Sequence, residues 1–185
     1  NGSSDYLEIP GHIAPQLSGS DFTIEFWLKP SSDATTFSPI LSQRVNVSGG
    51  NSNVVIDIQY VGSSNYLSVF GGVTPYKAIH IQTNNDTIIK NVWSHVVLTY
   101  TYSTKNSLIY INGLSTNIIV HDLPTEHISS SSLPMHIGMY NNNNEKFFPG
   151  ELKHLRVYNS IKYNSNFTVN SNNHTIISNP YSTIS

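Results

Sequence analysis

Phe22, Ile24, Phe26 and Leu28 alternate with Thr23, Glu25, Trp27 and Lys29, so the stretch FTIEFWLK lays apolar side chains along one face of an extended chain. The same signature returns at short intervals, at residues 6–9, 39–43, 53–61, 66–70 and 77–82, and again at 93–102, 107–111, 115–120, 135–140 and 150–159. These runs are rich in β-branched and aromatic residues, and Gly, Asn, Ser or Pro separates them. No segment keeps an apolar 3.6-residue period long enough for a helix, and a single turn near Ile161 is the most the pattern allows. The spacing predicts an all-β sandwich or barrel.

The chain has 185 residues, enough for one sizeable core and too few for two comfortable domains. Charged residues make up only 11%, so the surface must be wetted mainly by Asn, Ser and Thr. A formal charge of -2, with the nine basic residues scattered singly, excludes the clustered Lys and Arg of a nucleic-acid binder. No apolar run reaches the length of a membrane helix, and no charged-then-apolar leader opens the chain. It opens at Asn1 rather than Met, which leaves a removed leader open. With no cysteine there is neither a disulfide framework, nor a thiolate metal site, nor a cysteine nucleophile. Five Asn-x-Ser/Thr sequons, at Asn1, Asn46, Asn85, Asn166 and Asn173, permit N-glycosylation on a secretory route.

Asn112-Gly113 separates two strand-like runs, and both residues tolerate positive φ, so a tight type I′ hairpin is expected there. Residues 164–185 turn polar and Asn/Ser/Thr-rich, as a linker or loose terminus would, or as a final edge strand through HTIIS. Runs of Ser at 129–132 and Asn at 141–144 read as loops.

Taken in order, Phe22 to Trp27, the Trp93–Tyr100 run WSHVVLTY, Ile109 to Gly113, Ile137-Gly138 and Phe148 to Asn159 resemble the laminin-G-like branch of the concanavalin A-like lectin/glucanase superfamily. The resemblance covers roughly residues 3–163 and implies a jelly roll of two antiparallel sheets; the domain is taken as 1–163, with 164–185 a polar C-terminal tail or edge strand. It also implies a ligand site on a concave face or on the loops at one rim. Trp93 and Tyr100 are expected to pack in the core or between sheets, Gly150 to permit a close backbone approach, and Gly71 and Gly72 to turn the chain between strands.

The glucanases of that superfamily resemble a pattern with two Glu residues flanking an Asp on one strand. Here Asp57 holds the middle position, but Val55 and Gln59 stand where the acids belong. Glu8 with Glu25, or Glu145 with Glu151, is not singled out by spacing. The eight His residues form no recognised ligand pair; His95 reads as a strand residue with a satisfied ring, and His121 and His127 bracket a loop. No G-x-S-x-G, G-x-G-x-x-G or Walker pattern is present. The chain is therefore read as a non-enzyme.

Binding remains. Aromatic faces stack on the apolar patches of sugar rings and planar amides bond their hydroxyls, and the chain is rich in both. Tyr60, Tyr66, Tyr76, Tyr140, Asn141, Asn142 and Glu145 are the candidate contacts. Calcium is the resemblance's other implication, with Asn53 and Asp86 as its candidate ligands, although the amide of Asn53 stands where a carboxylate is expected. The expected role is a recognition module for a glycan or a surface protein, secreted or displayed on a cell or virion. It would form part of a larger polypeptide or stand alone; the alternatives are an assembly jelly roll and a divergent glycoside hydrolase.

Overall fold

A computed structural model describes residues 4–46, 52–73, 77–140 and 146–169, of which 45, 46, 52, 53 and 73 are described by their backbone alone. Among these residues there is no helix. The strands are β1 (Leu7–Ile9), β2 (Phe22–Pro30), β3 (Phe37–Asn46), β4 (Ser52–Val61), β5 (Tyr66–Val73) and β6 (Ile79–Thr83). They are followed by β7 (Ser94–Thr101), β8 (Asn106–Ile111), β9 (Leu114–Ser115), β10 (Ile118–Val120), β11 (Met135–Ile137) and β12 (Gly150–Tyr158). A seven-stranded sheet in the order β1-β11-β3-β4-β5-β6-β10 faces a five-stranded sheet in the order β12-β2-β7-β8-β9. Every pairing is antiparallel. This is the all-β sandwich that the alternation predicts.

The core lies between the sheets and is filled by the inward half of each alternating run. On β2 these are Phe22, Ile24, Phe26 and Leu28, and on β4 they include Ile56, Ile58 and Tyr60. Tyr100 is fully buried and stacks on Phe22, with ring centroids 5.1 Å apart.

The expected hairpin is present. Asn112 and Gly113 have φ of 53° and 82° between β8 and β9, and the Asn112 side chain also accepts the backbone N–H of His95. The run at 115–120 is not one strand, however. β9 pairs with β8 in one sheet and β10 with β6 in the other, so the chain crosses between layers at Thr116 and Asn117. Gly150 permits the close approach expected of it, since a Cβ there would lie 2.6 Å from the Lys29 carbonyl oxygen. Gly71 and Gly72 lie inside β5, beside an irregular step in its pairing with β4, rather than in a turn.

One further expectation is corrected. Trp93 is partly exposed, on the outer side of the five-stranded sheet with Lys153 over its ring. The chain beyond β12 forms a strap over the five-stranded sheet. Ser160, Lys162, Tyr163, Asn166 and Phe167 all bond or stack across the outer face of the five-stranded sheet, from Thr23 to Gly113 and Ser115. The edge strand considered through HTIIS lies outside the described residues.

Candidate functional site

Strand alternation fixes which side chains the seven-stranded sheet turns away from the core, although Ser42, Asp57, Gln59, Ser68 and His136 are buried there. Since Ile56 and Ile58 point inward, Asp57 and Gln59 point outward; on β5, Leu67 and Val69 are core, which turns Tyr66, Ser68 and Phe70 out. On β6, Ile79 and Ile81 are core and His80 and Gln82 face away. The pairing then sets these side chains in rows, with Glu8, His136, Ser42, Asp57, Phe70 and His80 on consecutive strands. Gln59, Ser68 and Gln82 form the next row.

The middle of the first row is closed. Asp57 is 1% exposed, forms a 2.8 Å salt bridge to Arg44, and has its second oxygen, Oδ1, buried without a hydrogen-bond partner. Burial of the carboxyl pushes Asp57 up to about 6, against the Arg44 guanidinium, which pulls it down. Arg44 also lies 5.0 Å from the centre of the Tyr140 ring.

The β5–β6–β10 end carries a series of aromatic rings. The rings of Phe70 and His80 lie 5.1 Å apart, and those of His80 and His121, just past β10, lie 4.7 Å apart. Asp122 holds His80 Nδ1 at 2.5 Å, and Gln82 Oε1 holds His121 Nε2 at 2.7 Å. Both imidazoles are thus oriented by a second side chain. Two partly exposed rings and the exposed His121 in series, edged by an amide and a carboxylate, form a surface that offers stacking and hydrogen bonds together.

Of the predicted contacts, Tyr66 and Tyr140 stay on this side of the molecule and Tyr60 does not. Tyr60 is a core residue with no exposed surface, its hydroxyl donating to Asn65 Oδ1 at 2.7 Å. The phase of β4 excludes it from any ligand. Tyr66 is partly exposed at the start of β5. Tyr140 is buried to 5% exposure beside Arg44, so little of its ring is available for stacking. Tyr76, Asn141, Asn142 and Glu145 lie outside the described residues.

The calcium ligands do not come together. Asn53 pairs with Val73 at one end of the β4–β5 hairpin, whereas Asp86 binds the turn at the other, so roughly 25 Å of strand separates them. Asp86 already accepts the Asn65 amide at 2.9 Å, and no group of three His, Asp or Glu residues converges among the described residues. Asn53 and Asp86 therefore do not form one ion site together.

The candidate carboxylates that are described lie apart. Glu8 bonds His136 on the seven-stranded sheet and Glu25 is buried under the strap on the other, so the two sit on opposite faces of the sandwich. Glu151 binds Lys29 at 2.8 Å, and Glu145 lies outside the described residues. Glu8 and Asp57 are three strand spacings apart, roughly 14 Å, beyond the 5 to about 9.5 Å of a hydrolytic pair. The two loop histidines also part: His121 joins His80, and His127 stacks on Tyr102 at 3.9 Å. His95 is not fully satisfied, since its Nδ1 is buried without a hydrogen-bond partner.

A laminin-G-type profile of the concanavalin A-like lectin/glucanases superfamily matches residues 1–162. The chain belongs to the concanavalin A-like lectin/glucanase superfamily. Among solved structures, this superfamily member is similar to a Trypanosoma rangeli sialidase, at 14% identity and TM-score 0.54 over 78% of this chain and 21% of that one. It spans about a fifth of that enzyme's length. It is also similar to the CBM40 of a Ruminococcus gnavus IT-sialidase bound to α2,3-sialyllactose (11% identity, TM-score 0.56, 77% of each chain). A third is the SAP-like pentraxin of Limulus polyphemus (16%, TM-score 0.55, 84% of this chain and 70% of that one). At such identities the likeness concerns the fold. No curated protein sequence matches the chain.

Sequence reasoning chose tyrosines by residue type and missed Phe70, His80, Gln82, His121 and Asp122. A signal was there for three of them: the alternation in YLSVF and AIHIQ puts Phe70, His80 and Gln82 opposite the aliphatic face. His121 and Asp122 required the β6–β10 pairing, which joins residues far apart in sequence.

Proposed function

We propose that the chain is a non-hydrolytic glycan-recognition module that holds a saccharide against the outer face of the seven-stranded sheet, at the β5–β6–β10 end. The observation that carries this reading is the Phe70–His80–His121 ring series with Gln82 and Asp122 at its edge. A sugar ring can lay its C–H face on such a surface while its hydroxyls meet the amide and carboxylate. The R. gnavus module, similar in fold and bound to a sialylated trisaccharide, supports the class of ligand. The separation of Glu8 from Glu25 and from Asp57 supports binding without cleavage. On this reading the chain works outside the cell or on a surface.

A glycan array probed with the parent and with Phe70→Ala and His121→Ala tests the reading. The parent should select a saccharide class, and each variant should lose roughly 5- to 30-fold in affinity as one stacking surface is removed. An array blank for the parent, or variants that bind as it does, would sink it.

One observation favours an assembly role as a second reading. Ile119 and Val120 on edge strand β10 and Leu123 beyond it are exposed, an apolar margin that a neighbouring copy would cover. Sedimentation of the parent and of Ile119→Lys would show that role as a mass that falls in the variant.

A further inference from the structure

We propose that the end of the five-stranded sheet's outer face that residues 160–167 do not reach is a second binding site, for an acidic saccharide, built on Trp27, Trp93 and Lys153. It lies on the opposite layer from the Phe70–His80–His121 surface and does not depend on it.

Register creates the site. Trp27 on β2 sits directly between Lys153 of β12 and His95 of β7, and Trp93 immediately precedes β7. The Lys153 ammonium is 4.1 Å from the centre of the Trp93 ring and 5.5 Å from that of Trp27, so one cation spans both indoles. Lys29 adds a second ammonium 5.8 Å from Trp93, although Glu151 holds it at 2.8 Å. Lys153 makes no ion pair with any described residue.

The strap leaves this end open. It covers Thr23, Glu25 and Tyr110, and Phe167 meets His95 edge-on at 5.9 Å, one strand short of Trp27. Both tryptophans remain partly exposed, in a chain whose formal charge is -2. A charge fixed over aromatic planes, with no carboxylate of its own, suits a sugar that stacks through its ring and carries an acid at its edge. Lys153 is already held in place, so less side-chain freedom is lost on binding. The shared ligand chemistry is an anionic group on a pyranose, either carboxylate or sulfate.

The experiment uses the chain's own fluorescence. Its two tryptophans are both in this site, and the seven-stranded sheet's candidate surface contains none, so tryptophan emission reports this site alone. The full chain is titrated with a sulfated oligosaccharide, a polyuronate of similar length and a neutral glucan, at low and at raised salt. The expected result is a saturable change in emission with one or both acidic saccharides, weakened by salt, and absent with the neutral glucan. Which acidic saccharide acts separates sulfate from carboxylate recognition. Lys153 is exposed, so Lys153→Gln and Lys153→Glu should keep the fold by circular dichroism while affinity falls roughly tenfold in the Glu variant. An emission indifferent to acidic saccharides, an equal response to the neutral glucan, or a Lys153→Glu variant that binds as the parent does overturns the proposal. So does a response only to phosphatidylserine vesicles, which would make the patch a lipid contact.

Discussion

The carboxylate of Glu25, in the middle of β2, accepts a 2.8 Å hydrogen bond from the phenol of Tyr163, which lies beyond the last strand. Its other oxygen accepts from Arg156 at 2.9 Å and from Tyr158 at 3.1 Å. Glu25 is 2% exposed, so these three donors replace the water that its charge lost. The strap is thereby fastened to the sheet by a charged hydrogen bond as well as by the packing of Phe167 on Tyr163, with ring centroids 3.9 Å apart.

Tyr163→Phe should therefore destabilise the fold by about 1.5–3 kcal/mol, the range of a hydrogen bond to a charged group. Glu25→Ala removes the acceptor of three donors and leaves Arg156 without its partner, and should cost about 3–5 kcal/mol. Urea unfolding of both variants measures the two values. A Tyr163→Phe variant as stable as the parent would mean that the strap is not held this way.

Gly113 makes a sharper test of the strap. With φ of 82°, it accepts the Phe167 N–H through its carbonyl, and a Cβ built on it would collide with the Phe167 carbonyl oxygen. Gly113→Ala thus faces a strained backbone and a displaced strap, and should cost more than the roughly 1 kcal/mol of the left-handed conformation alone. In a variant truncated after Ser160, the collision is gone and the same substitution should cost only that strain. Equal penalties in the two backgrounds would separate Gly113 from the strap.

Part of this architecture is legible in the sequence and part is not, for a physical reason. Period-two alternation reports which side chains share a face, so the strands, the hairpin at Asn112-Gly113 and the inward set on β2 follow from it directly. It does not report what covers the outward set. Glu25 and Trp27 both read as outward residues of one strand, yet the strap buries the first and leaves the second partly exposed. Nor did the apolar content of residues 164–169 announce a packed segment, because Tyr163 and Phe167 do most of its anchoring. Tyr60 was misplaced for a simpler cause: its residue type was weighed above its position, two residues from Ile58 on the same face.

Calcium should leave the protein indifferent. The described carboxylates are dispersed, and Asp86, the candidate on the β4–β5 side, spends an oxygen on Asn65. Melting temperatures in millimolar calcium and in EDTA are expected to coincide, since a ligand that binds only the folded state would raise the first. A calcium-dependent rise would show an ion site built from residues beyond those named here.

The pH dependence of stability should carry two opposed slopes, and one substitution separates them. Asp57 has its pKa raised from 3.8 to about 6 by burial, so the folded protein binds a proton that the unfolded chain has released between those values. Its contribution is complete below pH 3.8 and disappears as pH rises through about 6, a loss of roughly 3 kcal/mol. His95 acts in the other direction. Burial lowers its pKa below 6.5 despite the nearby Glu25, so the unfolded chain binds the extra proton and stability rises with pH toward 6.5. In the parent the two effects oppose each other on the acid side of neutrality. Asp57→Asn removes the falling component, because the amide beside Arg44 carries no proton to lose over this range. Over pH 3.8 to 6, where Asp57 titrates in the parent, the variant should lack the fall, and its stability should rise toward pH 6.5. Chemical denaturation across that interval measures both curves, and a variant whose pH profile runs parallel to the parent's would show that Asp57 titrates as an ordinary surface carboxylate.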